Sequence, residues 1–215
     1  MTTRSEAVLA YLKKRFPNPR CGLVFHNPFE CLVSIALSAQ TTDVSVNKVT
    51  PILFEKFPDA FSMSKAPISE IEDCIKSLGL YRNKAKSIQS LSQCLVEKYG
   101  GEVPRTKAEL VKLPGVGNKT AGVFLLEIEK VPAIPVDTHI TRIAERLGYA
   151  KAEIGPDAIE KKLEKAFPKE EHIYLHHALI WFGREICHAK NPQCGDCELQ
   201  GYCAYFKKSS LTKGR

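Results

Sequence analysis

A chain of 215 residues with 44% hydrophobic content can bury a real core, as one domain or two small ones, which excludes a disordered segment. No apolar run approaches membrane length and Met1–Arg20 is charged and amphipathic, so neither a membrane span nor a secretory signal is expected. The formal charge of +7 points towards a polyanionic partner, most often nucleic acid.

The predicted elements are helices throughout. Val8, Leu9, Leu12 and Phe16 form one apolar stripe that Pro17 stops. The apolar run Cys31–Leu37 follows. After the capping-type residues Thr41, Thr42 and Asp43 comes a further set: Val44, Val46, Val49, Ile52, Leu53 and Phe57. Ile71, Ile75 and Leu78 make a short stripe ending at Gly79. Tyr81, Ala85, Ile88, Leu91 and Leu95 then continue to a Gly100–Gly101 stop. No stretch alternates long enough for a sheet, so the expected fold class is all-α.

Between the helical stretches Ala108–Leu113 and Thr120–Ile128 lies Leu113-Pro114-Gly115-Val116-Gly117-Asn118-Lys119-Thr120-Ala121. Two glycines one residue apart allow a tight hairpin whose backbone N–H groups, with the N-terminus of the next helix, form a site for a phosphate oxygen. An ordinary glycine-rich helix turn is the plainer reading, but the hydrophobic context favours phosphate. Lys119 lies just inside that helix, where the dipole, together with partial burial, disfavours the ammonium form. On this segment alone it reads equally as an amine nucleophile or as a phosphate contact.

Pro135-Val136-Asp137-Thr138-His139 opens another helix, with Ile140, Ile143, Ala144 and Leu147 on one face. Asp137 is placed as an N-cap, and a capping carboxylate can also stabilise positive charge developing in an adjacent cleft. His172, His176 and His177 lack an acidic partner in sequence and read as packing and surface residues of a helix. The C-terminal residues Lys207, Lys208, Lys213 and Arg215 read as a frayed basic tail.

Of eight cysteines, Cys21, Cys31, Cys74 and Cys94 stand singly in apolar stretches as small buried hydrophobes. The other four, Cys187, Cys194, Cys197 and Cys203, are spaced C-x6-C-x2-C-x5-C, with turn formers between them. Four thiolates so crowded can wrap one metal centre. A disulfide framework does not suit a chain without a secretory segment, and structural zinc usually shows two C-x2-C knuckles, so the spacing favours an iron–sulfur cluster over zinc.

The hairpin, the Val136–His139 segment and the cysteine tail together resemble the endonuclease III family of base-excision repair glycosylases. Leu37-Ser38-Ala39-Gln40-Thr41-Thr42-Asp43 and Gly79-Leu80-Tyr81 match as well, and the resemblance runs from about residue 5 to 205. It implies a two-domain helix–hairpin–helix DNA glycosylase fold with a C-terminal 4Fe-4S cluster loop. One domain would hold six helices over residues 21–130; residues 1–20 and 131–215 would form the cluster domain, with DNA in the cleft between them. Lys119 is then implied as the Schiff-base nucleophile, Asp137 as the catalytic carboxylate, and Cys187, Cys194, Cys197 and Cys203 as the cluster ligands. Gln40 would fill the hole left by the extruded base and Leu80 would wedge the opposite strand. Gly115, Val116, Gly117, His139, His188 and Lys190 would contact DNA. Asn118 stands where members often carry Arg, which weakens DNA contact slightly and leaves the chemistry intact.

The implied activity is a cytoplasmic, monomeric glycosylase and abasic-site lyase acting on duplex DNA with damaged pyrimidines. An adenine glycosylase of the mismatch type would lack the nucleophilic lysine and usually carry a further C-terminal domain. A non-catalytic DNA-binding or electron-transfer module would bind duplex without releasing a base.

Overall fold

The computed structural model describes residues 3–151 and 153–212, and among these there is no strand. The chain opens with α1 (Arg4–Arg15) and continues through α2 (Pro28–Leu37), α3 (Asp43–Lys56), α4 (Ala60–Lys65), α5 (Ile68–Ile75) and α6 (Tyr81–Tyr99). The short α7 (Lys107–Leu110) and α8 (Asn118–Ile128) follow. Then come α9 (Thr138–Leu147), α10 (Pro156–Ala166), α11 (His172–Glu185) and α12 (Ala204–Thr212). Short side chains start half of these helices: Thr3, Asn27, Thr42, Asp59, Thr106 and Asp137 each accept a hydrogen bond from a first-turn amide. Each such cap contributes about 1 kcal/mol. The Gly100–Gly101 stop is realised with both residues at positive φ and their amides donating to Leu95 O.

The helices sort into two compact units. The first is Cys21–Val131 and the second combines Met1–Arg20 with Pro132–Arg215, so the division falls after Val131, one residue beyond the expected boundary. Among its described residues the Cys21–Val131 unit holds seven helices, where six are expected. The additional one is α4 (Ala60–Lys65), which none of the predicted stripes covers, while the expected Ala108–Leu113 stretch is the single turn α7, capped by Thr106. Its core is built on Leu32, Leu53, Met63, Ile71, Leu91 and Phe124, all fully buried. Burying such a side chain contributes roughly 1.5–3 kcal/mol.

Two residues of the expected α3 stripe are not in that core. Val46, Val49, Leu53 and Phe57 are buried, but Val44 is 66% and Ile52 58% exposed. They lie off the i, i+3, i+7 row that faces α2 and α5, and Pro51 sits inside the same helix.

In the second unit α1 packs with the C-terminal helices. Val8, Tyr11 and Leu12 share a core with Ile140, Leu163, Leu175 and Phe182, and the Tyr11 and Phe182 rings meet edge to face at 5.9 Å. His172, His176 and His177 are all buried in α11, so none is a surface residue; His172 Nε2 pairs with the carbonyl of Phe167 at 3.1 Å. Lys207 and Lys208 lie within α12 instead of a frayed tail, while Lys213 and Arg215 fall outside the described residues. Of the single cysteines, Cys31 and Cys94 are buried and Cys21 and Cys74 half-buried; burial pushes the Cys21 thiol up to about 12.

Candidate functional site

The glycine hairpin hangs on two buried anchors, Leu113 and Val116, and the Val116 amide donates to Leu113 O at 3.1 Å. Val116 is therefore spent on building the turn: its side chain is core and its N–H is taken. The two glycines differ. Gly115 has φ +75°, and a Cβ there would meet Ser87 Oγ at 2.6 Å. Gly117 is extended, and a Cβ on it would meet nothing within 4 Å. It caps α8 without a side chain, so the first amides of an eleven-residue helix are left without a side-chain acceptor at its positive end. Such a terminus holds an anion.

This difference yields a test. Gly115→Val should destabilise the fold, because a β-branched residue at positive φ costs well over the roughly 1–2 kcal/mol of an ordinary side chain. Gly117→Val should melt like the parent yet bind every duplex more weakly, because its side chain intrudes only where a phosphate would sit. Melting curves and filter binding across a salt series measure both, and unchanged affinity in Gly117→Val would make the hairpin purely structural.

Asn118 and Lys119 follow as exposed residues of the first turn of α8. The helix buries Ala121, Phe124, Leu125 and Leu126, which leaves Lys119 on the opposite side, without the partial burial expected of it.

In the same unit three non-glycine residues are held in the left-handed region, Gln40 at φ 54°, Leu80 at φ 59° and, past the end of α8, Lys130 at φ 54°. Each costs roughly 1–2 kcal/mol relative to ordinary backbone, and such residues cluster where function demands them. Gln40 is exposed, and Leu80 is 62% exposed at the N-terminus of α6, which is not where a core leucine sits.

In the second unit Asp137 is half-buried and caps α9, its Oδ1 accepting from Ile140 N at 2.8 Å. One turn on, Arg142 Nη2 lies 3.1 Å from His139 Nδ1. A guanidinium only donates, so Nδ1 accepts and the ring proton is assigned to Nε2. Burial lowers the His139 pKa, and the carboxylate of Asp137 offsets part of that shift. The ring therefore offers a neutral N–H donor.

The cysteine loop is tied to α9 by two arginines that sequence spacing alone did not single out. Arg142 Nε donates to Cys187 O at 3.1 Å and its Nη2 to Gly183 O at 2.9 Å. Arg146 Nη1 donates to His188 O at 2.7 Å and to Cys187 Sγ at 3.3 Å, while Nη2 reaches Ala189 O at 3.1 Å. The Arg146 guanidinium also lies over the Tyr205 ring, 4.4 Å from its centroid. The detectable signal was their i, i+4 spacing on a helix otherwise read for its apolar face. His188 is half-buried with its carbonyl committed, and Lys190 is exposed.

Cys187, Cys194, Cys197 and Cys203 line one hollow together with Leu147, Phe182, Ile186 and Leu199. Among the described residues no group of three or more His, Cys, Asp or Glu is gathered tightly enough for a single metal ion; the four thiols surround a space instead. Burial raises the Cys197 pKa, and the charges of Cys187, Cys203 and Cys194 raise it further. Four thiolates so placed need positive charge at their centre. A polynuclear iron–sulfur centre in an apolar hollow, with an arginine N–H to one sulfur, meets that need.

Residues 33–169 match the model of the HhH-GPD superfamily of base excision DNA repair proteins, and residues 187–203 match the iron–sulfur binding domain of endonuclease III. The chain is 50% identical over 193 residues to endonuclease III of Bacillus subtilis (strain 168), which covers 90% of this chain and 88% of that protein. It is 40% identical over 204 residues to endonuclease III of Escherichia coli (strain K12), covering 95% and 96% respectively. A solved structure of a trapped endonuclease III–DNA covalent intermediate superposes with a TM-score of 0.92 at 47% identity, covering 98% of this chain and 100% of that one. With its helical fold and its 4Fe-4S binding loop, this chain belongs to the endonuclease III family and is a base-excision repair DNA glycosylase with abasic-site lyase activity.

Proposed function

We propose that the enzyme removes oxidised or saturated pyrimidines from duplex DNA as a cytoplasmic monomer, with Lys119 as the nucleophile and Asp137 as the catalytic carboxylate. The observation that carries this reading is an exposed amine immediately after the glycine turn, in the first turn of α8, whose N-terminus has no side-chain cap. The relative trapped as a covalent intermediate with DNA supports a route through a covalent bond between protein and DNA.

In this mechanism the Lys119 amine attacks the sugar carbon that bears the base, and the base leaves with the bonding electron pair and a proton. Asp137 stabilises the positive charge that develops on the sugar. The sugar ring opens to an imine, which acidifies the neighbouring carbon. Loss of that proton expels the 3′ phosphate by β-elimination, and water hydrolyses the imine to free the lysine. Extruding the nucleotide is easiest at a damaged base, and Gln40 and Leu80 occupy the vacated stack. His139, through Nε2–H, and the first amides of α8 hold phosphates, with His188 and Lys190 alongside. Cys187, Cys194, Cys197 and Cys203 hold the cluster, which orders the loop that Arg142 and Arg146 tie to α9.

A panel of duplexes carrying single oxidised pyrimidines, abasic sites or adenine mismatches tests the substrate class. Incision is expected at the first two and not at the mismatches. Release of adenine without strand cleavage would overturn the reading.

A further inference from the structure

Lys84 is a lysine only 8% exposed, in the first turn of α6, with burial lowering its pKa. None of the ion pairs among the described residues includes it. An apolar residue would be cheaper to bury there, so the ammonium answers another need. Its backbone N–H donates to Leu80 O at 3.0 Å. Its Nζ donates to Thr41 Oγ1, and that hydroxyl lies 3.3 Å from Ala39 O, to which it donates. The Thr41 amide meanwhile donates to Ser38 O at 3.0 Å. One side chain thus closes a hydrogen-bonded path around Gln40, from Thr41 to Ala39, and anchors it to the turn that carries Leu80. Both turns hold a non-glycine residue at positive φ, a conformation that persists only when its surroundings enforce it.

We propose that Lys84 is a positioning residue that couples the Gln40 turn to the Leu80 turn, so that the two side chains meet the duplex as one preorganised pair. This rests on the assignment of those two residues to the vacated base stack. Preorganisation lowers the cost of extruding the nucleotide, and it is of no use on a single strand, where nothing needs to be unstacked.

Lys84→Met keeps length and removes the donor; Thr41→Val keeps shape and removes the acceptor. Both should show faster amide exchange over residues 39–42 than the parent. Incision of an abasic site in duplex DNA should fall about tenfold more than incision of the same site in a single strand, equivalent to about 1.4 kcal/mol. The double variant should be no worse than the poorer single one, as for two partners of one bond. Equal losses on both substrates, with a shallower salt dependence, would make Lys84 a direct phosphate contact and overturn the proposal. Additive losses, or unchanged exchange, would overturn it too. If Lys84→Met does not fold, Thr41→Val alone decides by the same readings. If the parent enzyme cuts neither substrate, the proposed mechanism fails, while exchange over residues 39–42 still decides the coupling.

Discussion

Lys119→Gln should yield no protein–DNA adduct when borohydride is added during turnover on abasic duplex, whereas the parent chain is trapped. The logic is chemical: reduction fixes only an imine, and glutamine's amide cannot form one. The fold should survive, because the side chain is exposed on the face of α8 opposite Phe124 and glutamine is a good helix former. Duplex affinity should fall only modestly, with the slope of log K against log salt reduced by about one phosphate contact at most. Strand incision should be lost with the adduct. A variant that retains both would place the nucleophile elsewhere.

Asp137→Asn should bind abasic and damaged duplexes like the parent while slowing base release on the order of 10²–10³-fold, the scale of removing one preorganised electrostatic partner of a transition state. The substitution isolates charge from structure because Asp137 has two jobs. It caps α9 through Ile140 N, and asparagine caps a helix about as well as aspartate. Asp137→Ala is the companion: it loses the charge and also the cap, so it should add about 1 kcal/mol of destabilisation to the same catalytic loss. Single-turnover rates and melting curves measured together separate the two. If Asp137→Asn released base at the parental rate, the carboxylate would be only a cap.

The positions of these two residues were legible in the sequence, because each sits at a helix start that short-range signals mark, while the roles proposed for them came from the family resemblance. The same holds for the glycines of the hairpin and the four clustered cysteines, whose spacing alone singles out a metal-binding loop. What spacing did not reveal is how such residues differ once the chain has folded. Gly115 and Gly117 look equivalent in sequence, yet only Gly115 is forced, by its positive φ and by Ser87. Val116 lies within the matched turn and proves to be one of its buried anchors. Val44 and Ile52 carry the apolar character of a core stripe, but the neighbouring helices cover only one face of α3.

The all-helical class, the starts of α3 and α9 and the cysteine loop follow from the sequence by itself, because propensity, capping and turn chemistry act over three or four residues and leave a local pattern, whereas α4, α10 and α12 left no such pattern. Tertiary structure alone decided what Lys84, Arg142 and Arg146 do. Lys84 reaches Thr41 across 43 residues, and the arginines reach the cysteine loop across more than 40. A long cationic side chain on a helix reads from sequence as a solvated one. Whether it is instead buried against a hydroxyl or a carbonyl depends on which distant segment the packing of apolar faces brings alongside, and that is a property of the folded core and not of any local run of residues.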